Sequence, residues 1–341
     1  MSIRFAAIGL DHRHIYGMSQ GMLDAGCEFV GFWTQGQPQP LEGFVKRFPN
    51  VPRVETVETL LQDETISLVL IAAAPADRAR LSLMAMDAGK DVMLDKPGCL
   101  TLDELTTIEA KISETRRIWS VNFSERFEVP ASTMVDRLLD EGRIGRVVHI
   151  LSQGPHRLNA PLRPEWFWRP ELYGGILGDI GTHQIDQFLH YAGAPTAEIT
   201  HCAVGNLNTP EHPEFQDFGE MNLVAGDVRG YVRLDWFTPD AAPNWGDGRL
   251  TLLGTDGFIE VRKYMDIGGR AGTDHVFLVN GIECTRFDAS EAGTPYFSRL
   301  RHDVEHRTET ACPQQHTLTV MRLAIEAQAK AVRTGSLKYQ N

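Results

Sequence analysis

Ile3-Arg4-Phe5-Ala6-Ala7-Ile8-Gly9-Leu10-Asp11-His12-Arg13-His14 opens the chain, and Ile15 to Ala25 follows it, closed by Gly26. The run from Ile3 to Ile8 reads as a buried strand. Gly9 then makes a turn, and Ile15 to Ala25 reads as a helix. A strand–turn–helix unit of this kind begins a parallel sheet only if more strands and helices alternate behind it. They do. Glu28–Trp33, Ser67–Ala73, Asp91–Leu94 and Ile118–Asn122 read as strands, and Arg78–Ala88 and Leu102–Glu114 as helices between them.

Beyond about Glu125 the texture changes. A helix over Ala131–Asp140 leads to a strand at Val147–Ser152, and a second helix begins near Gly175. Glu198–Val204, Glu220–Val224, Arg229–Trp236, Arg249–Leu253, Gly257–Arg262 and Val276–Val279 carry strand patterning. Asp247-Gly248 and Asp256-Gly257 are hairpin-turn signals. A last helix is expected from Gln315 to Arg333. The expected architecture is α/β: a doubly wound parallel sheet of Rossmann type over residues 1–124, then an α+β domain over 125–341 with a large, mostly antiparallel open sheet. At 341 residues the chain exceeds what one core usually serves.

Composition narrows the partners. The formal net charge is −12, and nucleic acid and anionic membrane both call for basic patches that the sequence lacks. The longest apolar run, Leu68 to Ala76, is too short to span a bilayer. The five cysteines (Cys27, Cys99, Cys202, Cys284 and Cys312) are widely spaced and form no C-x-x-C pair. That argues against a disulfide framework or structural zinc and suits the cytoplasm. With a strand at the very start, no secretory leader is expected.

Three stretches carry chemistry. A dinucleotide fingerprint has glycine at its first, third and sixth positions; here Gly9 fits and Asp11 and His14 hold the other two. Asp11, His12 and His14 read either as cofactor contacts or as a polar turn, and the two histidines also admit a metal reading; no metal is assigned. Thr34 ends the second strand, where an acid would select NAD. NAD and NADP therefore both stay open. In Asp95-Lys96-Pro97 an amine stands at the C-terminal end of a parallel strand, where doubly wound folds bind ligands, and the proline favours a cis bond. In Gly174-Gly175-Ile176-Leu177-Gly178-Asp179-Ile180-Gly181-Thr182-His183, helical spacing of ~100° per residue puts Asp179, His183, Asp186 and His190 in one stripe. His183 suits proton transfer from a hydroxyl, with Asp179 orienting it. A solvated polar face or a metal stripe are the other readings.

These motifs resemble the Gfo/Idh/MocA oxidoreductase family, named for glucose–fructose oxidoreductase and inositol dehydrogenase. Ala88 to Pro97 follows its A-G-K-x-V-x-x-E-K-P pattern, with Asp95 for Glu, and Gly174 to His183 follows G-G-x-x-x-D-x-G-x-H fully. Asp140-Glu141-Gly142-Arg143-Ile144-Gly145 resembles the family's helix-to-sheet junction. The resemblance implies an NAD(P)-dependent dehydrogenase with Lys96, Asp179 and His183 as the catalytic set. It puts Asp95 near the nicotinamide ribose, and Ala73, Ala74 and Pro75 along the adenine or ribose side. Arg78 stands where the family often has histidine. Gly9 to Tyr16 together with Gly154-Pro155-His156-Arg157-Leu158 is similar to a subgroup tied to trehalose and related disaccharides. That implies oxidation of a sugar or glycoside hydroxyl, at C3, to a ketone. His156, Arg157, Trp166 and Trp168 are then the candidate carbohydrate contacts. A homodimer or tetramer through the second sheet is implied as well. The rival readings are an NAD-dependent glycosidase working through transient oxidation, and a non-catalytic nucleotide-binding subunit.

Overall fold

Strand β1 (Arg4–Leu10) is buried along almost its whole length, and helix α1 (Ile15–Asp24) leaves it through the Gly9 turn. The computed structural model describes residues 3–334. Next come β2 (Glu28–Trp33), α2 (Leu41–Arg47), α3 (Val57–Leu61), β3 (Leu68–Ala72), α4 (Pro75–Asp87), β4 (Asp91–Asp95), α5 (Leu102–Thr115) and β5 (Trp119–Asn122). These strands form a parallel sheet in the order β2-β1-β3-β4-β5. An isolated parallel bridge joins Phe32 to Arg53 on the outer side of β2. It marks the place of a sixth strand reduced to one residue pair. The strand order reverses between β1 and β3, which makes the crevice above their C-terminal ends the ligand position of such a sheet. β3, β4 and β5 are buried at every residue, as a sheet covered on both faces requires.

The second half contains α6 (Ser124–Phe127), α7 (Pro130–Asp140), β6 (Val147–Pro155), α8 (Pro170–Tyr173), α9 (Gly175–Asp179) and α10 (Gly181–Ala192). After them run β7 (Glu198–Gly205), β8 (Phe218–Ala225), β9 (Val228–Asp235), β10 (Arg249–Gly254), β11 (Gly257–Arg262), β12 (His275–Asn280) and β13 (Cys284–Asp288), then α11 (Tyr296–His306), α12 (Gln314–Lys330) and β14 (Val332–Thr334). Nine strands form one sheet in the order β13-β12-β11-β10-β6-β9-β8-β7-β14. Only the β6–β9 and β14–β7 pairs are parallel. The α/β architecture and the mostly antiparallel second sheet are therefore as expected. Helices α9, α10 and α12 pack on this sheet.

Four details depart from the sequence reading. The last helix stops at Lys330, and Val332–Thr334 pairs with β7 instead of continuing it. Asp247-Gly248 is no hairpin turn, because β9 and β10 each pair with β6 and not with each other. The β10–β11 hairpin exists, but its turn is Thr255-Asp256. The edge strand β13 and helices α2, α3, α6, α8 and α11 were not anticipated. Helix α12 also returns to β5 of the first sheet, and α11 packs on α1. Gln314 accepts from the Trp119 N–H at 3.0 Å and donates to the Trp119 carbonyl at 2.8 Å, closing the exposed edge of β5.

Candidate active site

Lys96 follows the last residue of β4, and its surroundings are fixed by Arg78 of α4. The Arg78 side chain is wholly buried. Its guanidinium donates to the Ala73 carbonyl at 2.8 Å, the Pro97 carbonyl at 3.0 Å, the Lys96 carbonyl, and Asp95 Oδ2 at 2.9 Å. The Lys96–Pro97 bond is cis. Arginine in place of histidine thus ties the ends of β3 and β4 together. Lys96 Nζ then reaches Asp179 Oδ1 at 2.5 Å.

The glycines of the second motif explain how Asp179 gets there. Gly174 and Gly175 have φ of 93° and 68°, a backbone turn that L side chains rarely adopt. A Cβ on Gly181 would stand 2.9 Å from Met221, so α10 lies against the sheet backbone-first. The chain is not one helix here: α9 ends at Asp179, and α10 starts at Gly181. The four-residue stripe is corrected not by this break but by the partners that Asp186 and His190 take further along α10. Asp179 and His183 line the cavity. Asp186 instead takes the Arg126 guanidinium at 2.7 and 2.6 Å and His316 at 2.8 Å. His190 pairs with Asp136 at 2.7 Å. The four do not converge on one point.

Asp95 is the hub of the first turn. Its Oδ1 accepts from the Lys96 N–H at 2.8 Å and His14 Nδ1 at 2.7 Å; its Oδ2 accepts from His12 Nδ1 at 2.9 Å and from Arg78. A carboxylate has about four lone-pair sites, and all are taken. His12 Nδ1 also faces the His14 N–H at 3.4 Å, so the two histidines close on each other as well as on Asp95. The three residues have a donor count that suits a metal ion, with ligand atoms within 4.8 Å of one another. A cation there would have to displace the guanidinium and both N–H donors.

A cavity of about 510 Å³ runs from this turn across to the second sheet. Asp11, His12, His14, Pro75, Lys96, Asp179 and His183 line it, and so do His156, Arg157 and Trp166. Gly9, Thr34, Ala73, Ala74 and Trp168 do not. Gly9 has φ +72°, and a Cβ on it would sit 2.5 Å from the Ala73 Cβ, so the two turns touch backbone to backbone. Thr34 Oγ1 accepts from the Leu10 N–H at 3.1 Å and is buried. Trp168 stacks on His212, with ring centroids 3.8 Å apart, and belongs to the packing. Arg157 Nη2 is occupied by the Pro239 and Ala242 carbonyls at 2.9 and 2.6 Å, which holds two loops together.

Among the cavity residues that escaped the sequence reading are Glu125, Arg163, Trp236 and Trp245. Glu125 lies just past the end of β5, a position that the strand-end rule flags. Trp236 directly follows β9, a strand end as well, whereas Arg163 and Trp245 come from loops with no local signal. The Arg163 guanidinium lies over the Phe167 and Trp236 rings at 4.3 and 4.8 Å. Glu125 Oε2 accepts from Gln184 at 2.8 Å and Lys263 at 3.2 Å. Burial pushes its carboxyl up, but Lys263, His183 and His156 outweigh that and bring it to about 2. Burial pushes His183 down to about 3 against the pull of Glu125, with Lys96, His14 and His156 adding to the fall. Enclosure likewise takes His156 and His12 to about 4. For Asp179, burial raises the carboxyl, and Lys96 more than offsets it. At neutral pH His12, His156 and His183 are therefore neutral, between the Glu125 carboxylate and the Lys96–Asp179 pair. That arrangement can accept a proton from a hydroxyl and stabilise the oxygen left behind.

Residues 3–123 match the family model described as "Oxidoreductase family, NAD-binding Rossmann fold", and residues 133–260 match "GFO/IDH/MocA C-terminal domain". A crystal structure from Erwinia carotovora atroseptica, described as an oxidoreductase, is 42% identical, covers 97% of this chain and 99% of its own, and superposes with a TM-score of 0.94. The scyllo-inositol 2-dehydrogenase (NADP(+)) of Bacillus subtilis is 25% identical over 62% of this chain and 59% of its own length. The levoglucosan dehydrogenase of Pseudarthrobacter phenanthrenivorans is 28% identical over 58% of this chain and 50% of its own. The matches thus span 59% and 50% of these two dehydrogenases. Among the described residues, no helix is long and apolar enough to cross a membrane.

Proposed function

The chain belongs to the Gfo/Idh/MocA oxidoreductase family, and from that premise we propose that it oxidises a hydroxyl of a sugar, glycoside or polyol to a ketone by direct hydride transfer to NAD or NADP. The observation that carries this is the meeting of Lys96 Nζ and Asp179 Oδ1 at 2.5 Å in the cavity that His183 shares with the β1 turn. The cofactor fits the residues present. The Gly9–Ala73 contact, closer than any Cβ would allow, is the tight strand–turn approach that a dinucleotide needs. Asp11, His12, His14 and Pro75 would hold it, with Gly9, Thr34, Ala73, Ala74 and Asp95 shaping the turns beneath them and Lys96 at its reactive end.

A bound nicotinamide supplies the hydride acceptor. His183, neutral and buried, takes the hydroxyl proton. Lys96 donates to the oxygen as negative charge develops on it, and Asp179 holds the amine in place. Trp166 and His156 face the substrate; Arg157 shapes that wall through its carbonyl contacts and Trp168 through its stack.

Within this reading, residues 1–124 bind the cofactor and 125–341 the substrate, and α12 straps the two sheets together. Leu253 on β10 is 45% exposed. With this outward face of the sheet we associate a homodimer or tetramer. The five free cysteines suit the cytoplasm.

The test is absorbance at 340 nm across a panel of inositols, levoglucosan, monosaccharides and disaccharides, with NAD and NADP in parallel. Stoichiometric reduction of one cofactor by a polyol is expected. Glycoside cleavage without net reduction would replace the dehydrogenase reading with the glycosidase one. Tight cofactor binding with no turnover on any polyol would leave a non-catalytic subunit.

A further inference from the structure

Glu125 and His156 face each other across the substrate side of the cavity, and neither satisfies the other. The His156 Nδ1 lies 3.1 Å from the Gly154 carbonyl, which can only accept, so Nδ1 carries the proton. On a neutral ring, Nε2 is then an acceptor. It stands 3.9 Å from Glu125 Oε1. That oxygen is buried and has no hydrogen-bond partner, whereas Oε2 is held by Gln184 and Lys263. Two acceptors at this spacing repel each other mildly and lack a donor. Leaving a buried charged acceptor unfilled is costly, so the pair is built for something that brings protons to both atoms.

We propose that Glu125 Oε1 and His156 Nε2 together receive the two protons of a vicinal diol on the substrate, next to the hydroxyl that His183 and Lys96 handle. Adjacent ring hydroxyl oxygens stand at roughly hydrogen-bond spacing, about 2.8 Å, from each other. Each donates to one of two acceptors a little further apart. The rings of Trp236 and Trp245, 5.3 and 4.6 Å from the His156 ring, flank the pair and suit the apolar face of a sugar. A fixed carboxylate at this point repels phosphate, so the pair lies on the substrate side and not the cofactor side. It also turns away substrates with an acidic group at that carbon. The substrate class narrows to neutral polyols with a free diol beside the reacting carbon. This rests on the dehydrogenase reading for the reaction, but not for the binding.

The experiment compares a parent polyol (levoglucosan, scyllo-inositol or methyl α-glucopyranoside) with its monodeoxy analogues. Binding is read by tryptophan fluorescence, since two indoles line the same wall, and turnover by absorbance at 340 nm. In the wild type, loss of one diol hydroxyl weakens binding by about 10- to 100-fold, as for a hydrogen bond to a charged group. In Glu125→Gln that penalty falls to about threefold or less, and KM moves more than kcat. Glu125→Gln leaves Lys263 without its anion, so Glu125→Gln/Lys263→Met is made beside it. His156→Phe keeps the ring packing and leaves the ion pair intact if both Glu125 variants fail to fold. An unchanged penalty in the folded variants, or wild-type binding indifferent to every deoxy position, overturns the proposal. Polyol binding with the expected penalties but no cofactor reduction overturns the dehydrogenase reading and leaves the diol pair standing.

Discussion

Burial disfavours the charged form of the His183 imidazole, so it stays a free base, open to the substrate proton, well below neutral pH, and this sets the pH at which the enzyme should fail. An unperturbed histidine, at about 6.5, would be roughly three-quarters neutral at pH 7 and about 3% neutral at pH 5, so a rate depending on its free base would drop about 25-fold between them. Burial brings His183 to about 3. It should then stay more than about 95% neutral at pH 5, and kcat/KM should change by less than about twofold. The sign is that of a depressed base: protonation, and loss of activity, come only as pH falls through the folded-state value. The unfolded chain behaves differently. Below about 6.5 it takes up protons that His12, His156 and His183 decline in the fold, so stability falls as pH drops from 6.5 toward 4. Initial rates at 340 nm from pH 5 to 8, with circular dichroism confirming the fold at each point, give the profile. An acid limb with its midpoint between 6 and 7, in protein that is still folded, would refute the neutral-base assignment.

Other substitutions test the scaffold. Arg78→Met removes the donor to three carbonyls and to Asp95; about 3–5 kcal/mol of stability should be lost in urea titration, with cofactor affinity falling alongside. Gly9→Ala forces a left-handed φ on alanine and drives its Cβ into the Ala73 backbone; about 2–4 kcal/mol is expected, read as a lower Tm. Lys263→Met strands the buried Glu125 charge and should cost about 3–5 kcal/mol, whereas Glu125→Gln/Lys263→Met should recover most of it; equal losses in the two would contradict the ion pair.

Much of this was legible in the chain. β2 ends where its apolar run ends, at Trp33, and the Gly174–His183 motif brought Asp179 and His183 to the cavity that Lys96 also reaches. Local signals carried these because period, punctuation and motif spacing are local. β14 was unreadable for the opposite reason. Ala331-Val332-Arg333 continues a helical pattern, and only its pairing with β7, far back in the chain, makes it a strand. Asp186 and His190 were misplaced because a shared stripe says nothing of distance along the axis: they lie roughly 4.5 and 10.5 Å of rise beyond His183 on the same helix α10, where Arg126, His316 and Asp136 take them. Glu125 could have been flagged by its position after β5, but its partner Lys263 lies 138 residues away, and no spacing rule connects them. Trp168 was assigned to sugar on residue type alone, and the ring it meets is His212.

The central claim is that one amine and one imidazole, from different halves of the chain, act on the same hydroxyl. Its most direct measurement is single-turnover hydride transfer by wild type, Lys96→Met and His183→Asn, with cofactor affinity determined separately for each. Both variants should lose about 10²- to 10⁴-fold in rate while their cofactor Kd stays within about threefold of wild type. Turnover near the wild-type rate in both would contradict it.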